Sequence, residues 1–109
     1  MNQIRKPYEG ISDISVKDKS LLFNTDLVET LEFDNLISQA LTTMDSAYNR
    51  RESRGAHARE DFTKRDDKNF MKHTLAWQKG KKVEIKYRDV HSKTLTNDVQ
   101  YFPPKERIY

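Results

Sequence analysis

The chain has 109 residues, of which 35% are hydrophobic and 34% are charged. That apolar fraction is below the roughly 45–50% typical of globular domains, so we expect one domain with a small core that folds beside something larger. The lack of cysteine excludes disulfides, thiol catalysis, cysteine-ligated zinc and iron–sulfur clusters, and a net charge of +3 from 20 basic and 17 acidic residues is too even to indicate nucleic-acid binding by itself.

No apolar run approaches the ~18 residues of a membrane helix, and no signal peptide is visible, so we expect a soluble, intracellular chain. The first 20 residues are weakly patterned, and Pro7 and Gly10 interrupt them. They predict a loosely attached arm, with a helix truncated at its N-terminal side as the alternative.

A long helix is predicted next, because residues 11–54 contain neither glycine nor proline. Asp26 and Glu29 resemble a capping box and predict a start near residues 24–26. Gly55 is a natural residue to follow a helix C-terminus, which gives roughly 30 residues. The apolar residues form an early set (Leu27, Val28 and Leu31) and a later stripe on a different face (Phe33, Leu36, Ile37, Ala40, Leu41, Met44, Ala47 and Tyr48). Such a helix needs neighbours on two sides, and this chain has little left to supply them.

A β-hairpin is predicted at about residues 73–88, with strands at 73–78 and 83–88 around a turn at 79–82. One short turn capped by Asp67 or Asn69 precedes it. Pro103 and Pro104 predict an extended C-terminal tail, whose apolar side chains suit a groove. The expected fold is therefore mainly α with a small β part (α+β), a long helix or helical bundle followed by the hairpin and the tail. We divide it into a helical domain over residues 1–55 and a small C-terminal element over residues 56–109.

Residues 48–67 hold five arginines and five acidic residues between the helical and strand patterns. Arginine suits fixed, bidentate pairing with carboxylates, so the stretch is either a solvated linker or an ion-pair network that docks on something. Basic residues interleaved with aromatic ones make RNA or protein binding an alternative function. The near one-to-one alternation of acids with bases favours internal ion pairs over RNA.

No self-contained active site is predicted. His57, His73 and His91 lack metal-site spacing, no nucleophile motif occurs, and three glycines in the whole chain cannot form a phosphate-binding loop. We therefore predict no catalytic, cofactor-binding or metal-ligating residue here.

Several ordered motifs carry a family resemblance. Residues 49–62 read Asn-Arg-Arg-Glu-Ser-Arg-Gly-Ala-His-Ala-Arg-Glu-Asp-Phe, and Arg-Asp-Asp follows at 65–67. Lys-His-Thr-Leu-Ala-Trp stands at 72–77, Phe-Asn-Thr-Asp-Leu-Val-Glu-Thr-Leu-Glu at 23–32, and Phe-Pro-Pro-Lys at 102–105. Over roughly residues 16–109 the chain resembles the C-terminal region of succinate dehydrogenase and fumarate reductase flavoprotein subunits, succinate dehydrogenase more closely.

The resemblance implies a C-terminal fragment of an FAD-dependent subunit that oxidises succinate to fumarate and passes electrons to an iron–sulfur subunit and quinone. The family's flavin- and substrate-binding residues lie upstream of the matched region, so the fragment would be a support and assembly element. Its expected partners are the remainder of the flavoprotein, the iron–sulfur and membrane anchor subunits of the parent complex, and further copies of itself if isolated, but no nucleic acid. The expected location is cytoplasmic, peripheral on the inner side of the inner membrane in the parent complex, the matrix side in mitochondria. We expect Arg54, His57 and Arg59 to face the flavin domain.

Overall fold

A 25-residue helix, α2 (Thr25–Asn49), is the longest element of the computed structural model, which describes residues 2–105. Its start is where the sequence predicts it, but the cap is Asn24 rather than the Asp26–Glu29 pair. The Asn24 side chain accepts a hydrogen bond from Leu27 N at 2.9 Å and donates to the carbonyls of Asp18 and Ser20 at 3.1 and 2.8 Å. Because one buried amide satisfies both the helix end and the preceding loop, it fixes the entry of the chain into α2.

The prediction that α2 continues to Gly55 is wrong, because the helix ends at Asn49 and Arg50 is extended at φ −83°, ψ 101°. The expected basic residues of the last turn therefore lie beyond the helix. Extended backbone after Asn49 lets the Glu52 side chain turn inward, where it is 0% exposed. Gly55, at φ 57°, instead occupies a tight turn between Arg54 and His57 that favours glycine.

Of the two predictions for the N-terminal residues, the helix rather than the loose arm is found, since residues 2–9 form helix α1 (Asn2–Glu9) with Pro7 inside it. A single 3₁₀ turn, Ile11–Asp13, follows. Helix α1 packs on α2, and Arg5 Nη2 donates to Asp45 Oδ1 at 3.2 Å. Asp45 is buried on α2, so the ion pair attaches α1 to α2 although the apolar pattern of α1 is weak.

The β-hairpin is confirmed, with strands β1 (Lys72–Lys79) and β2 (Lys82–Asp89) in antiparallel register. Each strand extends one residue beyond the prediction at both ends. Gly80, at φ 58°, supplies the left-handed backbone of the two-residue turn. A four-residue helix, α3 (Asp67–Phe70), precedes the hairpin, and its cap is Asp66, not Asp67 or Asn69, since Asp66 Oδ1 accepts from Asn69 N at 3.0 Å.

Both strands contact α2, and the fold is mainly helical with a small β part, as expected. Its core is small: within residues 3–105 only Ile37 and Leu41 are buried hydrophobic residues. The radius of gyration is 19.9 Å, against about 13 Å for a compact domain of this length. No helix in the described part of the chain is both long and apolar enough to cross a bilayer.

The segment from 91 to 105 contains no helix or strand, as the predicted extended tail requires. Arg65 Nη1 donates to the Lys105 carbonyl at 3.0 Å and ties this segment back to the Arg-rich stretch. Tyr101 and Phe102 are exposed, so no groove of the described chain receives these two side chains. Ile108 and Tyr109 of the predicted tail lie outside the described residues.

Candidate functional site

The Arg-rich stretch folds around the buried carboxylate of Glu52. Glu52 Oε1 accepts hydrogen bonds from Arg50 Nη1 and from Arg54 Nε, the latter at 2.9 Å. Glu52 Oε2 accepts from Arg54 Nη2 at 3.1 Å and from the backbone N–H of Asp66 at 2.8 Å. The stretch is thus an ion-pair network rather than a solvated linker. We call these residues and their partners the arginine junction.

Two opposing effects act on the pKa of Glu52. Burial disfavours the charged carboxylate and would raise the pKa, whereas the hydrogen bonds from Arg54, the Asp66 amide and Arg50 favour the charged form. The hydrogen bonds prevail together, so the pKa of Glu52 lies below its ordinary value of 4.5. Glu52 is therefore ionised at neutral pH despite its burial.

Arg50 connects the end of α2 to the start of the hairpin. Its Nε and Nη2 donate to Thr74 Oγ1 on β1 at 3.2 and 2.9 Å, and its Nη1 donates to the Phe70 carbonyl at 2.9 Å. Nη2 also donates to the Lys72 carbonyl, and the guanidinium carbon lies 5.6 Å from the centre of the Phe70 ring. A planar guanidinium with five donors can satisfy all these acceptors at once, which an ammonium group cannot.

Arg54 and His57 form the turn at Gly55, each donating its backbone N–H to the other's carbonyl, at 2.8 and 3.0 Å. Arg54 Nη2 also donates to Asp67 Oδ1 at 2.6 Å, which reaches the first turn of α3. This hydrogen bond is the main reason why the pKa of Asp67 is lowered below its ordinary value. The His57 Nε2 donates to the Arg50 carbonyl at 3.1 Å.

Arg59 caps the C-terminal end of α2. Its Nη1 donates to the carbonyls of Ala47, Tyr48 and Arg50 at 3.2, 2.7 and 3.2 Å. Carbonyls of the last turn lack helical partners and carry partial negative charge, so a cation here satisfies both needs. The other edge of the guanidinium pairs with Asp61 at 2.8 and 2.6 Å, which lowers the pKa of that carboxyl.

The structure brings together the three predicted interface residues, because His57 and Arg59 both donate to the Arg50 carbonyl and Arg54 is bonded to His57. Sequence reasoning missed the central pair, Arg50 and Glu52. The alternation of basic, acidic and basic residues at 50, 52 and 54 was the available signal, because a period of two indicates extended backbone rather than helix.

The side chains of the arginine junction are engaged in arginine–carboxylate pairs. A shallow cavity of about 360 Å³ lies beside it, bordered by Arg50, Arg54, His57 and His73 among others. Both guanidinium groups already bind carboxylates, so they do not form an open anion site. Within the described residues, no group of three or more histidine, aspartate or glutamate side chains could hold a metal ion.

Comparison with known proteins gives a family match along the whole chain. The family described as "Fumarate reductase flavoprotein C-term" matches residues 1–109. The mitochondrial succinate dehydrogenase (ubiquinone) flavoprotein subunit of Oryza sativa subsp. japonica is 53% identical over 106 residues, 97% of this chain and 17% of that protein. The succinate dehydrogenase flavoprotein subunit of Rickettsia bellii is 52% identical over 92% of this chain and 17% of its own length. The fumarate reductase flavoprotein subunit of a Serratia species is 38% identical over the full chain.

A solved structure agrees with this assignment. The FrdA chain of a variant E. coli quinol fumarate reductase superposes with a TM-score of 0.78 at 35% identity, over 99% of this chain and 18% of that chain. The chain thus spans less than a fifth of the length of the relatives it matches. The resemblance of the sequence motifs is confirmed, and it extends to the first residues as well. The chain belongs to the family of C-terminal domains of fumarate reductase and succinate dehydrogenase flavoprotein subunits.

Proposed function

We propose that this chain is a docking and assembly element that completes a succinate dehydrogenase flavoprotein and carries no catalytic or cofactor-binding residue itself. In this proposal the parent subunit binds FAD, oxidises succinate to fumarate, and passes electrons to an iron–sulfur subunit and quinone. The parent complex also holds membrane anchor subunits, and the flavoprotein is peripheral on the inner side of the inner membrane, the matrix side in mitochondria.

The observation that carries the proposal is an exposed apolar patch with no cover in the described chain. Leu21 is 93% exposed and Phe23 is 92% exposed, with Leu22 between them. A groove of about 540 Å³ continues the patch along the start of α2. Large exposed apolar patches on soluble proteins mark interaction sites, and this one borders the capped start of the longest helix.

Phe23 has a conformation that supports docking rather than disorder. Its φ is 50°, a left-handed value that costs a bulky residue roughly 1–2 kcal/mol. The next residue, Asn24, holds the loop through hydrogen bonds to Asp18, Ser20 and Leu27. The strain and the exposure of the ring are offset if another protein surface covers the ring.

The middle of α2 supplies a second uncovered surface. Leu36, Met44 and Tyr48 belong to the predicted later stripe, yet they are exposed, while Ile37 and Leu41 of the same stripe are buried. Helix α1 and the hairpin therefore cover only part of the stripe. The remainder of the flavoprotein is the proposed cover, and self-association of the isolated chain would cover the same surface.

The arginine junction supports the proposal in a second way. Four of the five arginines in residues 48–67 (Arg50, Arg54, Arg59 and Arg65) donate to carboxylates, so they are not available as a group to bind RNA phosphates. We retain the hypothesis that Arg54, His57 and Arg59 face the flavin domain, since Arg54 and His57 border the shallow cavity and all three are partly exposed. In the intact subunit, Arg54→Ala should impair assembly; normal assembly with lost substrate binding would overturn this assignment.

Inertness is tested on the purified 109-residue chain. We expect no flavin absorbance and no succinate–dye reductase activity. Bound flavin or measurable turnover would refute the claim that the chain has no catalytic or cofactor site.

Docking is tested with the Oryza relative's flavoprotein subunit produced without the region that matches this chain. We expect binding by calorimetry, and Phe23→Asn should weaken it by roughly tenfold or more, since hot-spot aromatics at interfaces carry such energies. Asparagine tolerates the left-handed backbone, so the stability of the isolated variant should be unchanged or higher. Val99→Asn, at an exposed apolar residue away from the patch, is the matched control. Equal binding by both variants would contradict the assignment of the patch.

A further inference from the structure

One face of the β-hairpin is turned away from α2. Thr74 and Gln78 on β1 are hydrogen-bonded to Arg50 and to Thr42 of α2, so their side chains point toward the helix. Successive side chains alternate across a strand, which places the intervening residues on the other side. The outer hairpin face therefore consists of His73, Leu75, Trp77 and Lys79 on β1, opposite Arg88, Lys86, Glu84 and Lys82 on β2.

The outer hairpin face concentrates the charge of the chain. It carries four basic residues and one acidic residue, a net charge of +3, counting histidine as neutral. The whole chain has 20 basic and 17 acidic residues, so the rest of it holds 16 of each and is neutral. The excess positive charge is therefore local to one small surface, even though the net charge of the chain is modest.

This face carries more positive charges than its single carboxylate can pair with. Glu84 pairs with Lys79 at 2.6 Å and with Lys86 at 2.9 Å, and these two lysines lower its pKa to about 2. Within residues 2–105, Lys82 and Arg88 have no carboxylate partner. Lys79 lies directly opposite Lys82 in the register, and like charges in that position destabilise a sheet.

An apolar centre lies between the charged ends of the face. The Trp77 side chain is 46% exposed, Leu75 lies beside it on β1, and Lys86 Nζ is 5.5 Å from the centre of the Trp77 ring. Lys79 and Lys82 mark one end, and Arg88 marks the other. The ends are six residues apart along a strand, which is about 20 Å.

One alternative role for these lysines is to prevent aggregation of an exposed sheet. That role explains the charges, but it does not explain a half-exposed tryptophan at their centre. Single-stranded nucleic acid favours several stacking aromatics, and this face has one. Its cations are mainly lysines, whereas the arginines suited to bidentate phosphate contacts are mostly held in the arginine junction.

We propose that the outer hairpin face binds an acidic segment of a partner protein, extended over roughly six to eight residues, with carboxylates at both ends of an apolar side chain that covers Trp77. Lys82 and Arg88 meet the terminal carboxylates, and the apolar side chain packs on Trp77 and Leu75. This site is separate from the apolar patch at Phe23, so it does not depend on the docking proposed above.

The test uses the fluorescence of Trp77, the single tryptophan of the chain. The intact chain is titrated at near-physiological salt with a synthetic peptide that has two glutamates at each end and leucines in the middle. We expect a saturable blue shift. The double charge reversal of Lys82→Glu with Arg88→Glu should weaken binding by roughly tenfold or more. The matched control, Lys17→Glu with Lys19→Glu, makes the same change in net charge on an exposed loop and should bind as the parent chain does.

Three further probes complete the experiment: a peptide of the same composition with all glutamates at one end, polyuridylate RNA, and vesicles of phosphatidylglycerol. We expect each to bind more weakly than the first peptide. Equal weakening by the control reversal, equal binding of the rearranged peptide, or tighter binding of RNA or vesicles would each overturn the proposal. If the double reversal disturbs the fold by circular dichroism, Lys82→Gln with Arg88→Gln replaces it.

Discussion

Replacing Glu52 with glutamine removes the one charge around which the arginine junction is built. The glutamine has nearly the same shape, but its amide group offers one acceptor oxygen where the carboxylate has two. Arg50, Arg54 and the Asp66 amide all donate to Glu52, so at least one of these donors loses its acceptor. The side chain is 0% exposed, so water cannot replace the lost partner without a rearrangement of the junction.

The expected cost is roughly 3–5 kcal/mol, the range for removing one partner of a buried ion pair. A typical domain has only about 5–15 kcal/mol of stability, and within residues 3–105 this core has just two buried apolar residues. We therefore expect Glu52→Gln to lower the urea midpoint strongly or to unfold the chain. The measurement is urea denaturation at pH 7, followed by circular dichroism for α2 and by Trp77 fluorescence for the hairpin.

A matched control is Glu60→Gln, at an exposed glutamate of the same stretch, which should change stability by less than about 0.5 kcal/mol. Exchange of the Asp66 amide hydrogen is a local readout, because this amide donates to Glu52 and should lose its protection in Glu52→Gln. A loss of stability below about 1 kcal/mol with unchanged Asp66 protection would refute the central role of Glu52.

Three other predictions concern the same junction. Because the pKa of folded Glu52 is lowered from 4.5, its contribution to stability should be fully present above about pH 4.5 and lost as the pH falls through the folded pKa. Urea midpoints measured from pH 7 downward should show this loss of stability. The loss should be smaller in the Glu52→Gln variant. Arg59→Lys should lower the stability of the folded chain by about 1.5–3 kcal/mol, since one ammonium group cannot reach three helix-end carbonyls and Asp61 together. Amide hydrogen exchange at the last turn of α2 should become faster. Equal exchange in the variant and the parent chain would contradict the capping role. Gly55→Ala should cost about 1 kcal/mol in urea denaturation because φ is 57°, although no atom lies within 4 Å of the added methyl group; an unchanged midpoint would show that the turn is not strained.

Local patterns predicted the elements that depend on neighbouring residues. The hairpin follows from alternation around Gly80, and its register from the two-residue turn. The start of α2 is predicted by the polar residues just before it, which can cap a helix, although Asn24 rather than Asp26 is the cap. Motif order was enough to indicate the family, because long motifs in fixed sequence are independent of the folded geometry.

Elements held by distant contacts were predicted poorly. Helix α1 has only a partial apolar stripe, and its attachment includes the pair between Arg5 and Asp45, which are 40 residues apart. The sequence predicts an end of α2 at Gly55, because a glycine is the usual local signal for a helix C-terminus. The actual end at Asn49 accompanies the burial of Glu52 between Arg50 and Arg54 and against the Asp66 amide, 14 residues further on.

The sequence by itself determined the family, the α+β class and the hairpin, since each depends on the order and spacing of neighbouring residues. It also indicated that the long helix has more apolar surface than the chain can cover. Only the tertiary structure showed which surface stays uncovered, and that four arginines of residues 48–67 pair with Glu52, Asp61 and Asp67. The physical reason is that ion pairing and burial depend on three-dimensional distance: Glu52 meets the Asp66 amide, and Arg54 meets Asp67, only after the chain has folded back on itself.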